Sequence, residues 1–219
     1  MARFLPVLIA VGIGGVALAI ARESLATVNW GPPVGSGKKG AAKMARSIKE
    51  AAKRLPKEVV ASASKWAKAR GIALTDVLAT IVLESRGNPK AHALTEKEDS
   101  RGLMQVNVRA HKAILDKLGY KPEDLWKLDV GVEVGTAIFA AYRQRVLDAI
   151  KKNPVKQIHD VGTLTRLRYA GPKYVDSMLA KAKTTADTAH PFKNAEVYVD
   201  HWKEAKEGVA EALAAGTYA

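Results

Sequence analysis

From Phe4 to Ala21 the chain runs for 18 residues without a charged side chain, between Arg3 and Arg22. As a helix rising about 1.5 Å per residue, such a run is roughly 27 Å long, close to the hydrocarbon thickness of a bilayer. Arg3 supplies a short positive region in front of it, and Ala19-Ile20-Ala21 has the small-x-small form of a signal-peptidase site. We expect a retained membrane helix within residues 1–30. A linker follows at residues 31–40, GPPVGSGKKG, whose Gly, Pro and Ser leave no apolar periodicity. Its Gly-Ser-Gly-Lys-Lys is not a phosphate loop, because that spacing needs a glycine where Pro32 stands and Ser or Thr where Lys39 stands.

The positive charge of the chain is concentrated just beyond this linker. Lys and Arg number 35 against 22 Asp and Glu, a net charge of +13. Between Lys38 and Arg70 lie eleven of the basic residues and only two acids, Glu50 and Glu58. Within residues 41–63, Ala41, Met44, Ala45, Ile48, Ala51, Ala52 and Leu55 recur at helical spacing among the lysines, which predicts a basic amphipathic helix ending near Pro56. A second helix is expected from Pro56 to Arg70, with Val59, Ala63, Trp66 and Ala67 inward. Such a charge favours anionic lipid, cell-wall polymer or nucleic acid. Nucleic acid is not expected as the main partner, since Trp66 is the single aromatic interleaved with these charges. The pattern reads as helices that pack on a domain and solvate their charged faces.

The absence of cysteine excludes disulfides, thiol nucleophiles and Cys-ligated zinc. The five histidines, His92, His111, His159, His190 and His201, show no metal-ligand spacing, so neither a metal nor another cofactor is expected. After Gly71 the apolar periodicity predicts helices at Thr75 to Glu84, Arg109 to Leu118, Val130 to Ile150, Val155 to Leu167, Tyr174 to Lys183 and Glu196 to Ala214. No segment alternates with period two for long enough to predict a strand, so the fold class is mainly α. Residues 64–190 read as a catalytic domain and residues 191–219 as a C-terminal helix.

The helix DVLATIVLES, with Thr75 expected as its N-cap, carries the chemistry. Val77, Leu78 and Ile81 define its apolar side, and Glu84, seven residues after Val77, falls on the same side. Burial disfavours a carboxylate, as does the C-terminal end of a helix dipole, and this helix stops at Gly87-Asn88-Pro89. Both effects raise the acid toward the range in which it can donate a proton near neutral pH. Eighteen residues after Glu84, a polar stretch containing Glu96, Glu98 and Asp99 has given way to Gly102-Leu103-Met104-Gln105. The three acids are expected to face solvent.

In this arrangement the chain resembles the soluble-lytic-transglycosylase family of the lysozyme-like group. Its signatures stand here as Glu84-Ser85, Asn88-Pro89 and Gly102-Leu103-Met104-Gln105, within a resemblance that runs from about Ser64 to Tyr174. Two further motifs are kept in part. Gly131-Val132-Glu133-Val134-Gly135 retains the glycine of the stretch that opens a long helix but not its asparagine. Leu167-Arg168-Tyr169-Ala170-Gly171-Pro172 corresponds to the family's Ala-Tyr-Asn-Ala-Gly-Pro, with Arg168 and Tyr169 in place of its Tyr and Asn. The resemblance implies a lysozyme-like α-helical domain with a sugar-binding groove and peptidoglycan glycan strands as substrate. It further implies Glu84 as catalytic acid and base, Ser85, Met104 and Gln105 as groove residues, and Gly102, Leu103, Ala170 and Gly171 as structural positions; Tyr169 either faces the groove, stacking on a sugar or supporting Glu84 by its hydroxyl, or packs in the core. Closure of a 1,6-anhydro ring would split the glycan. A small basic wall-cutting enzyme with an anchor suits a phage particle, or a secretion or conjugation apparatus, whose proteins would then be further partners. Two alternatives stand beside this reading: a hydrolytic lysozyme that shares the acid, and a structural or channel component that has lost activity and only grips glycan, which the altered motifs at Gly131 and Arg168-Tyr169 raise.

Overall fold

The computed structural model of the chain describes residues 38–96, 98–152, 160–170 and 195–218. The expected membrane helix, residues 31–37 of the linker, the first part of the helix expected at Val155 to Leu167, the helix expected at Tyr174 to Lys183, and Gly171 lie outside these residues, while Lys38 to Gly40, expected as the end of the linker, are already helical. Among the described residues no helix is long and apolar enough to cross a membrane.

The helices are α1 (Lys38–Lys53), α2 (Lys57–Arg70), α3 (Leu74–Ser85), α4 (Val108–Leu118), α5 (Leu128–Lys152), α6 (Val161–Ala170) and α7 (Ala195–Ala214), with a 3-10 turn at Pro122–Trp126. Between α3 and α4 lie β1 (His92–Leu94), β2 (Asp99–Arg101) and β3 (Val106–Asn107), an antiparallel sheet in that order. The fold is mainly α as expected, but the sheet is a correction to the sequence reading. Its strands are two or three residues long, too short for alternation to register as a pattern. The register pairs His92 with Arg101, Leu94 with Asp99 and Arg101 with Val106.

Buried on all sides, α3 is the centre of the domain. Every residue from Asp76 to Leu83 is buried, which is why its apolar residues do not keep to one stripe. The expected Thr75 cap is not used: the N-cap is Ala73, without a side-chain bond, and Thr75 sits in the first turn. At the entry to α4 the side chain of Asn107 accepts from the amide of Ala110 (3.1 Å), a cap the sequence reading passed over.

Residues of α1, α2, α3, α5 and α7 share one core cluster, in which Ile48, Ala52, Leu55, Val59 and Ala63 meet Leu78, Ile81, Phe139, Trp202, Ala205 and Val209. The basic helix α1 thus packs on the domain through its apolar face, as expected. Its charges are met by α7, where Lys49 Nζ lies 2.8 Å from Glu207 and 3.4 Å from Glu204, and Lys53 Nζ lies 2.9 Å from Glu211. At Gly208 an added Cβ would stand 2.9 Å from the Lys49 Cα, so glycine permits the close approach of α7 to α1. The start of α5 is tied to α2 by Asp129, which accepts from Ser62 Oγ (2.7 Å), Trp66 Nε1 (2.9 Å) and Lys65 Nζ (2.8 Å).

Candidate active site

Glu84 stands in the last turn of α3, where αL backbone at Arg86 and Gly87 turns the chain away from the helix. Its side chain is only 10% exposed. From α6 the guanidinium of Arg166, buried to 2%, reaches across so that Nη1 lies 2.8 Å from Glu84 Oε1. The contact is a charge pair lying off the N–H direction, so it acts chiefly through charge. Burial, the largest influence, pushes the Glu84 carboxyl above the ordinary carboxylate range, and the charge of Glu98 pushes the same way. Arg166 pulls against both, and burial prevails.

Ser85 fastens the end of α3 to the Gly102–Gln105 turn. Its hydroxyl lies 2.8 Å from the Leu103 carbonyl and 3.2 Å from that of Ile81, while the Gly87 amide donates to it at 3.2 Å. The residue after the acid therefore holds backbone. Gly102 has φ +77°, and a Cβ there would stand 2.2 Å from the Leu125 carbonyl oxygen. Only glycine meets both constraints. Gly131 and Gly135, one helical turn apart on α5, receive this turn: a Cβ at Gly131 would meet the same carbonyl at 2.7 Å, and one at Gly135 would meet Met104 Sδ at 2.4 Å. The partly kept glycine motif of α5 thus has a packing cause.

These contacts correct one expected groove residue, Met104, and restrict another, Gln105. Met104 has no exposed surface, and its side chain fills the space over Gly135 instead of facing a groove. Gln105 is half-buried with φ +45°, and its amide nitrogen donates back to the Gly102 carbonyl at 3.0 Å. That bond leaves its amide oxygen as the atom able to meet a sugar hydroxyl. Leu103 is fully buried in the main core cluster, and Ala170 is the last residue of α6.

Tyr169 comes from α6 and donates its hydroxyl to the Met104 carbonyl at 2.7 Å. Burial first, and then the charge of Glu84, hold its phenol well above the usual tyrosine range, so it stays protonated beside the acid. Its ring packs with Phe139 and Tyr142 of α5, at centroid distances of 6.1 and 6.0 Å. Behind it, the imidazole of His111 stands 5.9 Å from the Tyr142 ring and is pushed down to about 4 by burial and by the charge of Arg168.

The three polar-loop acids do not all face solvent as expected. Glu98 is half-buried and accepts from the hydroxyl of the buried Ser100 at 2.5 Å. Asp99, in β2, is 13% exposed and held by Arg101 at 2.7 Å and by His92 at 3.0 Å, while Glu96 is exposed. The β1–β2 connection therefore carries one acid, Glu98, whose charge is felt at Glu84. Arg166 is the residue that sequence reasoning missed. A signal existed, a charged side chain between Leu164 and Leu167 in a helix whose residues 163 to 168 are all buried.

A helical domain with a short antiparallel sheet beside a buried glutamate at a helix end fits the lysozyme-like class. Residues 61–155 match the family model described as Transglycosylase SLT domain, which supports a soluble-lytic-transglycosylase domain over that stretch. The assignment supports a peptidoglycan lytic-transglycosylase-like function with glycan strands as substrate. The match holds Glu84, Ser85, the Gly102–Gln105 turn and both α5 glycines, and stops before Arg166 and Tyr169. No curated protein matches the chain.

Proposed function

We propose that the protein is a membrane-anchored lytic transglycosylase that cuts the MurNAc–GlcNAc β-1,4 bond of peptidoglycan. Glu84 donates its proton to the glycosidic oxygen and then, as carboxylate, takes the proton of the 6-hydroxyl on the same muramic acid, whose oxygen closes a 1,6-anhydro ring. The supporting observation is a buried carboxyl held above its ordinary range within the stretch that matches the family. Such a group is protonated at a pH where exposed carboxylates are not, as a general acid must be. The attacking hydroxyl is already tethered to the reacting sugar, so proximity replaces a second base. Gln105 through its amide oxygen, and Tyr169 as a neutral neighbour of the acid, are the groove residues of this reading.

The proposed setting is the bacterial envelope, with residues 1–30 in the membrane and the domain on the periplasmic side. The basic stretch Lys38 to Arg70 follows the hydrophobic run, an order that the positive-inside tendency would keep in the cytoplasm. A protein delivered from a virion is not inserted from the cytoplasm, which favours a phage particle opening the wall for genome ejection over a bacterial secretion apparatus.

Digestion of purified peptidoglycan by the full chain, with mass analysis of the muropeptides, tests the reaction. The expected fragments end in 1,6-anhydro-muramic acid, one water lighter than hydrolysis products, and Glu84→Gln yields none. A hydrolytic lysozyme is the second reading, favoured by the charge of Glu98 at Glu84, since hydrolysis generally employs a second carboxylate. Reducing ends, lost on Glu98→Gln, would establish it.

A further inference from the structure

Among the described residues Arg166 is the charged group in direct contact with Glu84, and its burial excludes a role in touching substrate. The guanidinium is 2% exposed, lies 2.8 Å from Glu84 Oε1, and has its central carbon 5.8 Å from the centre of the Tyr169 ring. It belongs to α6, beyond the stretch that matches the family. We propose that Arg166 is a positioning residue for the acid: it fixes one carboxylate oxygen, leaves the other for the glycosidic bond, and stabilises the carboxylate that remains once the proton has been given away. The inference rests on the reading of Glu84 as the acid.

A buried carboxyl with no cation beside it is a weak acid, because the interior opposes the charge it acquires on releasing its proton. In this site Tyr169 is neutral and Glu98 adds a further negative charge, so neither relieves that opposition. Arg166 is the countercharge, on an arginine that stays protonated throughout. The same pair serves the return step, since the carboxylate held by Arg166 is the base that accepts the 6-hydroxyl proton. The glycosidic oxygen gains the Glu84 proton as its bond to the anomeric carbon breaks, and the 6-hydroxyl oxygen bonds to that carbon as its own proton passes to Glu84. The acid is regenerated, and Arg166 gains and loses nothing.

The test follows the titration of Glu84 itself, so it does not depend on turnover. Carboxyl carbon NMR of the full chain, with Glu84 assigned by its loss in Glu84→Gln, is compared among wild type, Arg166→Met, Arg166→Gln and Arg166→Lys. Both uncharged variants are expected to move the Glu84 midpoint upward by about one pH unit or more, and Arg166→Lys to return most of the way. The high-pH limb of glycan cleavage is expected to move with it, with a lower rate at the optimum. A midpoint unchanged or lowered in whichever uncharged variant folds would overturn the proposal. Absence of cleavage by wild type would instead overturn the reading of the function, and the titration would still decide the role of Arg166.

Discussion

Gly135 and Met104 are packed so closely that no side chain fits between them: a Cβ on Gly135 would stand 2.4 Å from the methionine sulfur and 2.6 Å from its Cβ. The second atom is fixed to the backbone, so rotation of Met104 cannot relieve the clash. Gly135→Ala is therefore expected to push the Gly102–Gln105 turn off α5. Overpacking of this kind costs about 1 to 3 kcal/mol. Urea unfolding should show the loss, and glycan cleavage should fall further than the folded fraction, because Ser85 ties this turn to the end of the helix that carries Glu84.

Removing one member of the buried ion pair should cost more than removing both. At a pH where Glu84 is ionised, Glu84→Gln leaves Arg166 buried without its countercharge, a loss on the order of 3 kcal/mol. Glu84→Gln combined with Arg166→Met should recover a large part of that stability while remaining inactive. Thermal unfolding of the two single variants and the double variant completes the cycle. Additive losses would show that the pair is not coupled.

Glu98 raises Glu84, so neutralising it should have the opposite effect to neutralising Arg166. In Glu98→Gln the high-pH limb of cleavage is expected to move to lower pH, because Glu84 loses its proton sooner. Most activity and the 1,6-anhydro ends should remain. Glu96→Gln and Asp99→Asn should likewise retain most cleavage, although Asp99→Asn removes the anchor of Arg101 and His92 in the sheet.

His111 gives the fold a pH dependence. Its folded value of about 4 lies below that of the unfolded chain, so the unfolded state binds the extra proton between these values. The resulting stability is complete above about pH 6.5 and is lost as the pH falls toward 4. The loss from this group is of the order of a few kcal/mol. His111→Gln should flatten the dependence of unfolding free energy on pH over that window. A profile with the wild-type slope would show that His111 is not its source.

The charge on α1 is partly cancelled by α7, which sets where anionic surfaces can be felt. Replacing Glu204, Glu207 and Glu211 by Gln should free Lys49 and Lys53 and increase binding of the full chain to anionic vesicles at low salt. Neutralising Lys43, Lys49 and Lys53 should weaken that binding while leaving cleavage of soluble glycan fragments unchanged. Exposed pairs such as these contribute little to stability, so neither variant should unfold.

Much of this protein is decided locally and is legible in the chain. Helical periodicity marks α1 to α5 and α7 to within a few residues, because an apolar residue every three or four positions must face a common core. Glu84 on the apolar side of α3, followed by the Gly102–Gln105 run, marks the candidate acid and the turn next to it. The sheet is not legible, since strands of two or three residues are stabilised by pairing partners and carry no pattern of their own. The roles of Ser85, Met104 and Gln105 likewise depend on what α5 presents to them. Ser85 bonds backbone, Met104 is spent on Gly135, and the Gln105 amide is turned inward. The countercharge of the acid is the clearest case: Arg166 is 82 positions from Glu84 in the chain and reaches it only because α6 packs beside α5 and α7. Sequence spacing decides which residues share a helical face, but electrostatic partners in an interior are chosen by the packing of helices distant in the chain.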